Sequence, residues 1–273
     1  MNKRDVVRKR EKALESLQND EDAIRIGKGL VKGLPHAHSL LLEHMSPSFI
    51  LAWNRCPAST ALDVLFPRPS ETSALKVGSE VHRILEKRYN PLSETRVRDL
   101  TPAENREVEQ FIQAYDSIPD YNQGARSVEH ETELEVKTTV VPLGVKIDTP
   151  LKGVIDRLDI ADNGVFIVDY KTARKPISSC KYLDQLTIYK WLIESEYDTD
   201  VADCYVASMY RDKPRYIREK ITLASQSKLI DKIKRTEIDV ACSRDMGSYK
   251  KQRGWQCKYC PHREFCRRGS WEV

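Results

Sequence analysis

A chain of 273 residues, 40% apolar and 32% charged, is long enough to bury a core and has the composition of an ordinary soluble protein. No apolar run approaches the roughly 18 residues of a membrane span, and the charged segment Met1 to Arg10 lacks the apolar stretch of a signal peptide, so a cytoplasmic location is expected. A net charge of +4 permits a nucleic-acid partner without demanding one, and seven cysteines, an odd number, argue against a disulfide framework.

Residues 1–40 read as a charged arm, in which Val6, Val7, Leu14 and Leu17 suggest a short helix; residues 41–273 are expected to form the folded domain. Ser46-Pro47 before the apolar run Phe49 to Trp53 predicts a capped helix ending near Cys56-Pro57. A second helix is predicted over Thr72 to Tyr89, with Val77, Val81, Ile84 and Leu85 on one face. A third starts at Thr101-Pro-Ala-Glu104, which has capping-box spacing. Residues 127–141, Leu151 to Ile160 and Val165 to Lys171 read as strands, the last two joined by the turn signal Asp162-Asn163-Gly164. A helix over Tyr182 to Glu194 follows, then strands over Cys204 to Tyr210 and Tyr216 to Leu223, and a helix over Ser227 to Ala241. This order predicts an α/β fold around one central mixed sheet.

The hairpin carries the chemistry. With Asn163-Gly164 as a two-residue turn, Asp162 stands opposite Val165, Leu158 faces Asp169, and Asp156 faces Lys171. Asp156, Asp169 and Lys171 then project from one face. A bulge in the turn would shift this register. Two converging carboxylates suit a hard cation such as Mg²⁺ or Mn²⁺, and a neighbouring lysine suits orientation of a water or stabilisation of charge on a phosphate. The alternative is a plain ion pair between Lys171 and Asp156. Asp159 and Asp162 read as solvated or turn acids, and Cys180, Cys204 and Cys242 as small core residues.

Gly153-Val-Ile-Asp156-Arg followed by Val168-Asp-Tyr-Lys171-Thr resembles the core of the PD-(D/E)xK nucleases, in their RecB-like branch. Gly78-Ser-Glu-Val-His82 resembles that branch's GxxxH motif, and Gln185-Leu-Thr-Ile-Tyr189 its QxxxY motif, in the expected order over residues 46–273. The resemblance implies a restriction-endonuclease-like core. It implies a metal held by His82, Asp156, Asp169 and the backbone carbonyl of Tyr170, with Lys171 positioning the attacking water and Gln185 and Tyr189 supporting the lysine or a nucleotide. Simple packing is the alternative for the last pair. Arg157, Arg174 and Lys175 read equally as phosphate contacts or as solvated charge.

Cys257, Cys260 and Cys266 form a C-x2-C-x5-C run, and Cys56 lies far upstream. Four such thiols suit either Zn²⁺ or a [4Fe–4S] cluster. Iron–sulfur members of the RecB-like branch, such as CRISPR-adaptation exonucleases and the AddB subunit, resemble this layout, which implies a structural [4Fe–4S] staple closing the core. His262 is treated as exposed and not a ligand. Trp255, Tyr259 and Phe265 are expected to pack around the knuckle, with base stacking as the alternative. Lys250, Lys251, Arg253, Lys258, Arg263, Arg267 and Arg268 form a basic tail that reads as a phosphate-contacting rim or a solvated surface.

The implied activity is metal-dependent hydrolysis of DNA, by an exonuclease acting on single strands or free ends in recombination, repair or phage DNA processing, in a bacterial cell or phage-infected host. The sequence has no G-x-x-x-x-G-K-[ST] loop, so any motor would be a separate helicase or recombination partner. A catalytically idle DNA-binding module with the same fold and cluster is the rival, and a zinc-stapled protein adaptor explains less of the sequence.

Overall fold

The computed structural model describes residues 43–65, 72–91, 99–121, 128–141, 145–178, 180–246 and 249–263. The N-terminal arm, Cys266, Phe265, Arg267 and Arg268 lie outside them. The chain divides into two compact units, one built from Glu71–Ile147 and Leu151–Leu229, the other from the described residues of Met1–Ser70, Asp148–Pro150 and Ile230–Val273.

The first unit holds a five-stranded mixed sheet in the order β1 (Val128–Val141), β2 (Val145–Ala161), β3 (Gly164–Lys171), β4 (Val201–Ser208), β5 (Arg215–Arg218). All neighbours are antiparallel except β3 and β4, which run parallel. Helices α1 (Pro47–Arg55), α2 (Pro57–Leu65), α3 (Ser73–Tyr89) and α4 (Pro102–Asp116) precede the sheet. Between β3 and β4 runs α5 (Leu183–Tyr197), the crossover that a parallel pair requires. Leu186, Ile188, Trp191, Leu192 and Ile193 of α5 are all buried, as befits a helix apolar on most of its circumference.

Local signals set the helix starts. Thr72 accepts from Leu75 N at 3.3 Å at the head of α3. Thr101 and Glu104 form the reciprocal capping box of α4. Val77, Val81 and Leu85 of α3 pack with Val108, Phe111 and Tyr115 of α4 over Val168 and Tyr170 of β3. Fully burying side chains of this size stabilises by ~1.5–3 kcal/mol each.

Several elements differ from expectation. The β2–β3 turn falls on Asp162-Asn163, with Ala161 paired to Gly164 and Arg157 to Val168. Gly164 spends its positive φ of 133° in the first bridge of the ladder instead of in the turn. The register therefore moves by two residues, and an even shift leaves side-chain alternation intact. The strand expected over Tyr216 to Leu223 stops at Arg218 because Thr222 starts a helix: its Oγ1 accepts from Ser225 N at 3.1 Å. That helix, α6 (Leu223–Met246), is longer than predicted at both ends. Helix α2 went unpredicted, since Cys56-Pro57 reads as a stop although proline also suits a first turn.

In the second unit, Ser46 caps α1 by accepting from Phe49 N at 3.1 Å. Trp53 stacks on Phe49 and meets the edge of Tyr249, and with Ala58, Ala61 and Val240 they form a small core. His262 is fully buried, not exposed, with Nε2 2.9 Å from Asp63 Oδ1. The carboxylate at the end of α2 draws the imidazole inward. Among the other cysteines only Cys204 is a core residue; Cys180 and Cys242 are exposed. No described helix is long and apolar enough to cross a membrane.

Candidate active site

Asp169, Tyr170 and Lys171 close β3, and the neighbouring strand supplies Asp156. The β2–β3 ladder runs out to Arg157 and Val168, so Asp156 and Asp169 are the next residues outward on either strand. Beyond it the Tyr170 N–H donates to Asp156 Oδ2 at 2.7 Å, so a side chain takes the place of a ladder partner. Because residues alternate along a strand, Val168 and Tyr170 pack toward α3 and α4, while Asp169 reaches Gln185 of α5.

Helix α3 delivers His82, whose Nδ1 lies 3.0 Å from Asp156 Oδ1 and whose ring meets the Tyr170 ring edge-on. Gly78, one turn earlier, explains the approach. A Cβ there would stand 3.2 Å from Thr172 Oγ1, so glycine lets α3 close down on the segment leaving β3. Helix α5 delivers Gln185, which donates from Nε2 to Asp169 Oδ1 at 3.0 Å and to Tyr189 Oη at 2.8 Å. The room for Tyr189 comes from Gly153 of β2: a Cβ at that position would lie 2.8 Å from the Tyr189 ring and 2.7 Å from Leu192.

Lys171 Nζ pairs with Asp169 Oδ2 at 2.6 Å and sits 5.0 Å from the centre of the Tyr182 ring. The expected cross-strand pair of Lys171 with Asp156 gives way to this pair within β3, as the shifted register requires. Burial pushes the Asp169 carboxyl up to about 6, against the pull of Lys171 and with a further push from Asp156. Burial also raises Asp156, but His82, Lys171 and the Tyr170 N–H outweigh it and hold that carboxyl below its ordinary value. Burial lowers His82 and Lys171, and the two carboxylates outweigh it in both, leaving each above its ordinary value.

The donor set fits a hard divalent cation. Asp169 is 1% exposed, and its Oδ2 accepts no well-directed hydrogen bond, having only the Lys171 ammonium beside it. A buried, underused carboxylate oxygen next to a second carboxylate is the arrangement a cation relieves. Among the described residues no three His, Cys, Asp or Glu side chains stand as a ready-made metal cluster; His82 and Lys171 occupy the carboxylates instead. Cys56, Cys257 and Cys260 likewise form no such cluster among the described residues, and Cys260 Sγ lies 3.6 Å from Ser59 Oγ.

Two residues read as surface charge are internal. Arg157 is buried and its guanidinium is engaged inside the protein: it donates to Tyr89 Oη at 3.0 Å, to Tyr115 Oη, and to Asp159 Oδ2 at 2.8 Å. Asp159, buried with it, also accepts from Tyr121 Oη. Arg157 lies over the Tyr89 ring, and Tyr115 meets Tyr170 edge-on, so this group underlies the site. Tyr89, Tyr115, Tyr121 and Tyr182 carry no spacing signal that would have found them. Arg174 is exposed and engaged by Glu107 in a bidentate pair at 2.7 and 2.8 Å, and Lys175 is exposed.

A crystal structure from Eubacterium rectale, of a protein provisionally named an exonuclease, aligns over 83% of this chain and 90% of that one, with TM-score 0.53 and 17% identity. At that identity the likeness is one of fold. The crystal structure of SSO0001 aligns over 87% of this chain and 94% of that one, with TM-score 0.46 and 16% identity. A search of curated proteins finds no match. The model of the PD-(D/E)XK nuclease superfamily matches residues 44–267, and the chain, with the paired carboxylates and lysine at the end of its central strands, belongs to that superfamily.

Proposed function

We infer that the chain is a metal-dependent DNA exonuclease of the RecB-like branch, acting on single strands or free ends, with residues 41–273 as its nuclease domain. The observation that carries this reading is the Asp156–Asp169 pair. Two acids are held together against their repulsion, one pushed up to about 6, with a lysine ammonium 2.6 Å from it. In this reading Asp156, Asp169, His82 and the Tyr170 carbonyl hold Mg²⁺ or Mn²⁺, the ions used by nucleases of this superfamily. Once bound, the cation supplies charge stabilisation to a phosphodiester and acidity to a water. Lys171 orients that water and faces the charge that develops as the P–O bond breaks. Gln185 fixes Asp169 through its amide, and Tyr189 anchors Gln185.

The thiols of Cys56, Cys257, Cys260 and Cys266 are assigned to a structural [4Fe–4S] cluster, with Zn²⁺ as the other metal that four thiolates suit. The contact of Cys260 with Ser59, three residues after Cys56, supports the assignment. Service to a separate helicase or recombination partner in the cytoplasm completes the reading.

The test is digestion of end-labelled single-stranded and duplex DNA with Mg²⁺, Mn²⁺ or chelator, beside Asp169→Ala. Loss from the ends should need metal and should fall at least about a hundredfold in the variant. Folded protein that binds DNA and cuts nothing with either metal would leave the idle binding module in its place.

A further inference from the structure

The second unit exposes two large aromatic rings that its own core does not use. Trp255 is 74% exposed and Tyr259 80%, while Trp53 and Tyr249 of the same unit are buried. Both belong to one short, anchored turn. The 3-10 helix Trp255–Lys258 is closed by Cys257 N–H to Gly254 O and Tyr259 N–H to Gln256 O, each at 3.1 Å. Just beyond it, buried His262 pairs with Asp63 of α2, and Cys260 meets Ser59 of the same helix. The turn is thereby fixed to α2 from behind, and the rings are left outward.

The turn that carries the rings is predominantly cationic. Between Asp245 and Glu264, which flank it in sequence, the chain carries Lys250, Lys251, Arg253, Lys258 and Arg263, and Asp63 of α2 is the carboxylate paired with His262. Lys250, Arg253, Lys258 and Arg263 are exposed. Open aromatic faces among exposed cations match a polyanion that also offers flat rings. A duplex keeps its bases stacked on one another and has no free face to give. A protein partner docking on Trp and Tyr would be met by the four exposed cations, which it would have to match. The occupant favoured on both counts is single-stranded nucleic acid.

Resting on the nuclease reading, we propose that Trp255 and Tyr259 with Arg253, Lys258 and Arg263 form a single-strand docking surface. Unpaired bases stack on the two rings, and the phosphates between them meet the cations. The surface adds a hold on the substrate outside the carboxylate site and gives the enzyme its preference for unpaired DNA.

Binding is measured with the full-length protein carrying Asp169→Ala, in chelator, by anisotropy of labelled oligo(dT) and of a duplex of equal length. Trp255→Ala and Tyr259→Ala should each weaken oligo(dT) binding about tenfold while leaving duplex binding and the melting temperature unchanged. Trp255→Phe, which keeps a ring, should retain most of the affinity. Separately, with Asp169 intact, hydrolysis of bis(p-nitrophenyl) phosphate should be indifferent to Trp255→Ala. Unchanged oligo(dT) binding in both alanine variants overturns the proposal. Equal loss for oligo(dT), duplex and an acidic peptide also overturns it, as that marks a surface of charge alone. A native protein that leaves the small diester intact sinks the nuclease reading instead, and the oligo(dT) comparison still decides this one.

Discussion

Asp156 and Asp169 are neighbours with opposite shifts, and the difference lies in their partners. Asp156 has two charge-favouring donors, the His82 ring and the Tyr170 N–H. Asp169 is more deeply buried, and its ordinary value near 3.9 rises to about 6. Between those two values the folded protein binds more protons than the unfolded chain. In metal-free protein the contribution of Asp169 is therefore fully present below about pH 4 and is lost as pH rises through about 6, a change on the order of 3 kcal/mol. A divalent cation competes with the same proton, so apparent Mn²⁺ affinity should fall steeply as pH drops below about 6. Mn²⁺ titrations across that range, and melting curves of metal-free protein beside Asp169→Asn, check both. A pH-independent affinity, or a variant whose melting profile matches the parent's, would contradict the assignment. The side chains that the structure brings together at the candidate site were legible because their signals are short: Gly78 and His82 four apart, Gln185 and Tyr189 four apart, and one hairpin. Arg157 and Asp159 were not. Nothing in their sequence neighbourhood distinguishes this buried pair from a solvated one, and the phenols that enclose it lie 38 to 68 residues away.

At the scale of elements, caps and alternation carried the prediction well, and turn chemistry carried it less well. Ser46, Thr72 and Thr101 each start the helix expected of them. The hairpin register slipped by two because Asp162-Asn163-Gly164 supports two turns, and only the backbone angle of Gly164 separates them. The packing of α5 on β2 rests on Gly153, whose role in the Gly-Val-Ile-Asp run is invisible without the helix above it. Gly153→Ala should force Tyr189 and Leu192 outward. Overpacking of this kind costs about 1–3 kcal/mol. Because Tyr189 holds Gln185 and Gln185 holds Asp169, metal affinity should fall with stability, by about 10–100-fold. Chemical denaturation and Mn²⁺ titration of the one variant measure the two effects. A loss of stability with unaltered metal affinity would show that Tyr189 is packing and nothing more.

Over the whole molecule, thiols far apart in the chain belong to one unit: Cys56 on the upstream side, Cys257 and Cys260 on the downstream side. If they share a cluster, Cys56→Ser and Cys257→Ser should each remove iron and acid-labile sulfide and lower the melting temperature by similar amounts. Zinc in place of iron would select the other tetrathiolate metal, and stable, metal-free protein would dismiss the staple. The sheet has a different kind of long reach. Its two acids sit on a hairpin of consecutive strands, whereas Gln185 and Tyr189 ride on the crossover that must form before β4 can lie parallel to β3. Hairpins close quickly and parallel pairs late. A chain leaving the ribosome is then expected to expose both carboxylates to water first, where each has its ordinary acidity. Only when the crossover docks does Asp169 enter the interior that raises its pKa. On that order of events the pair would reach its shifted state only after the crossover has emerged and docked.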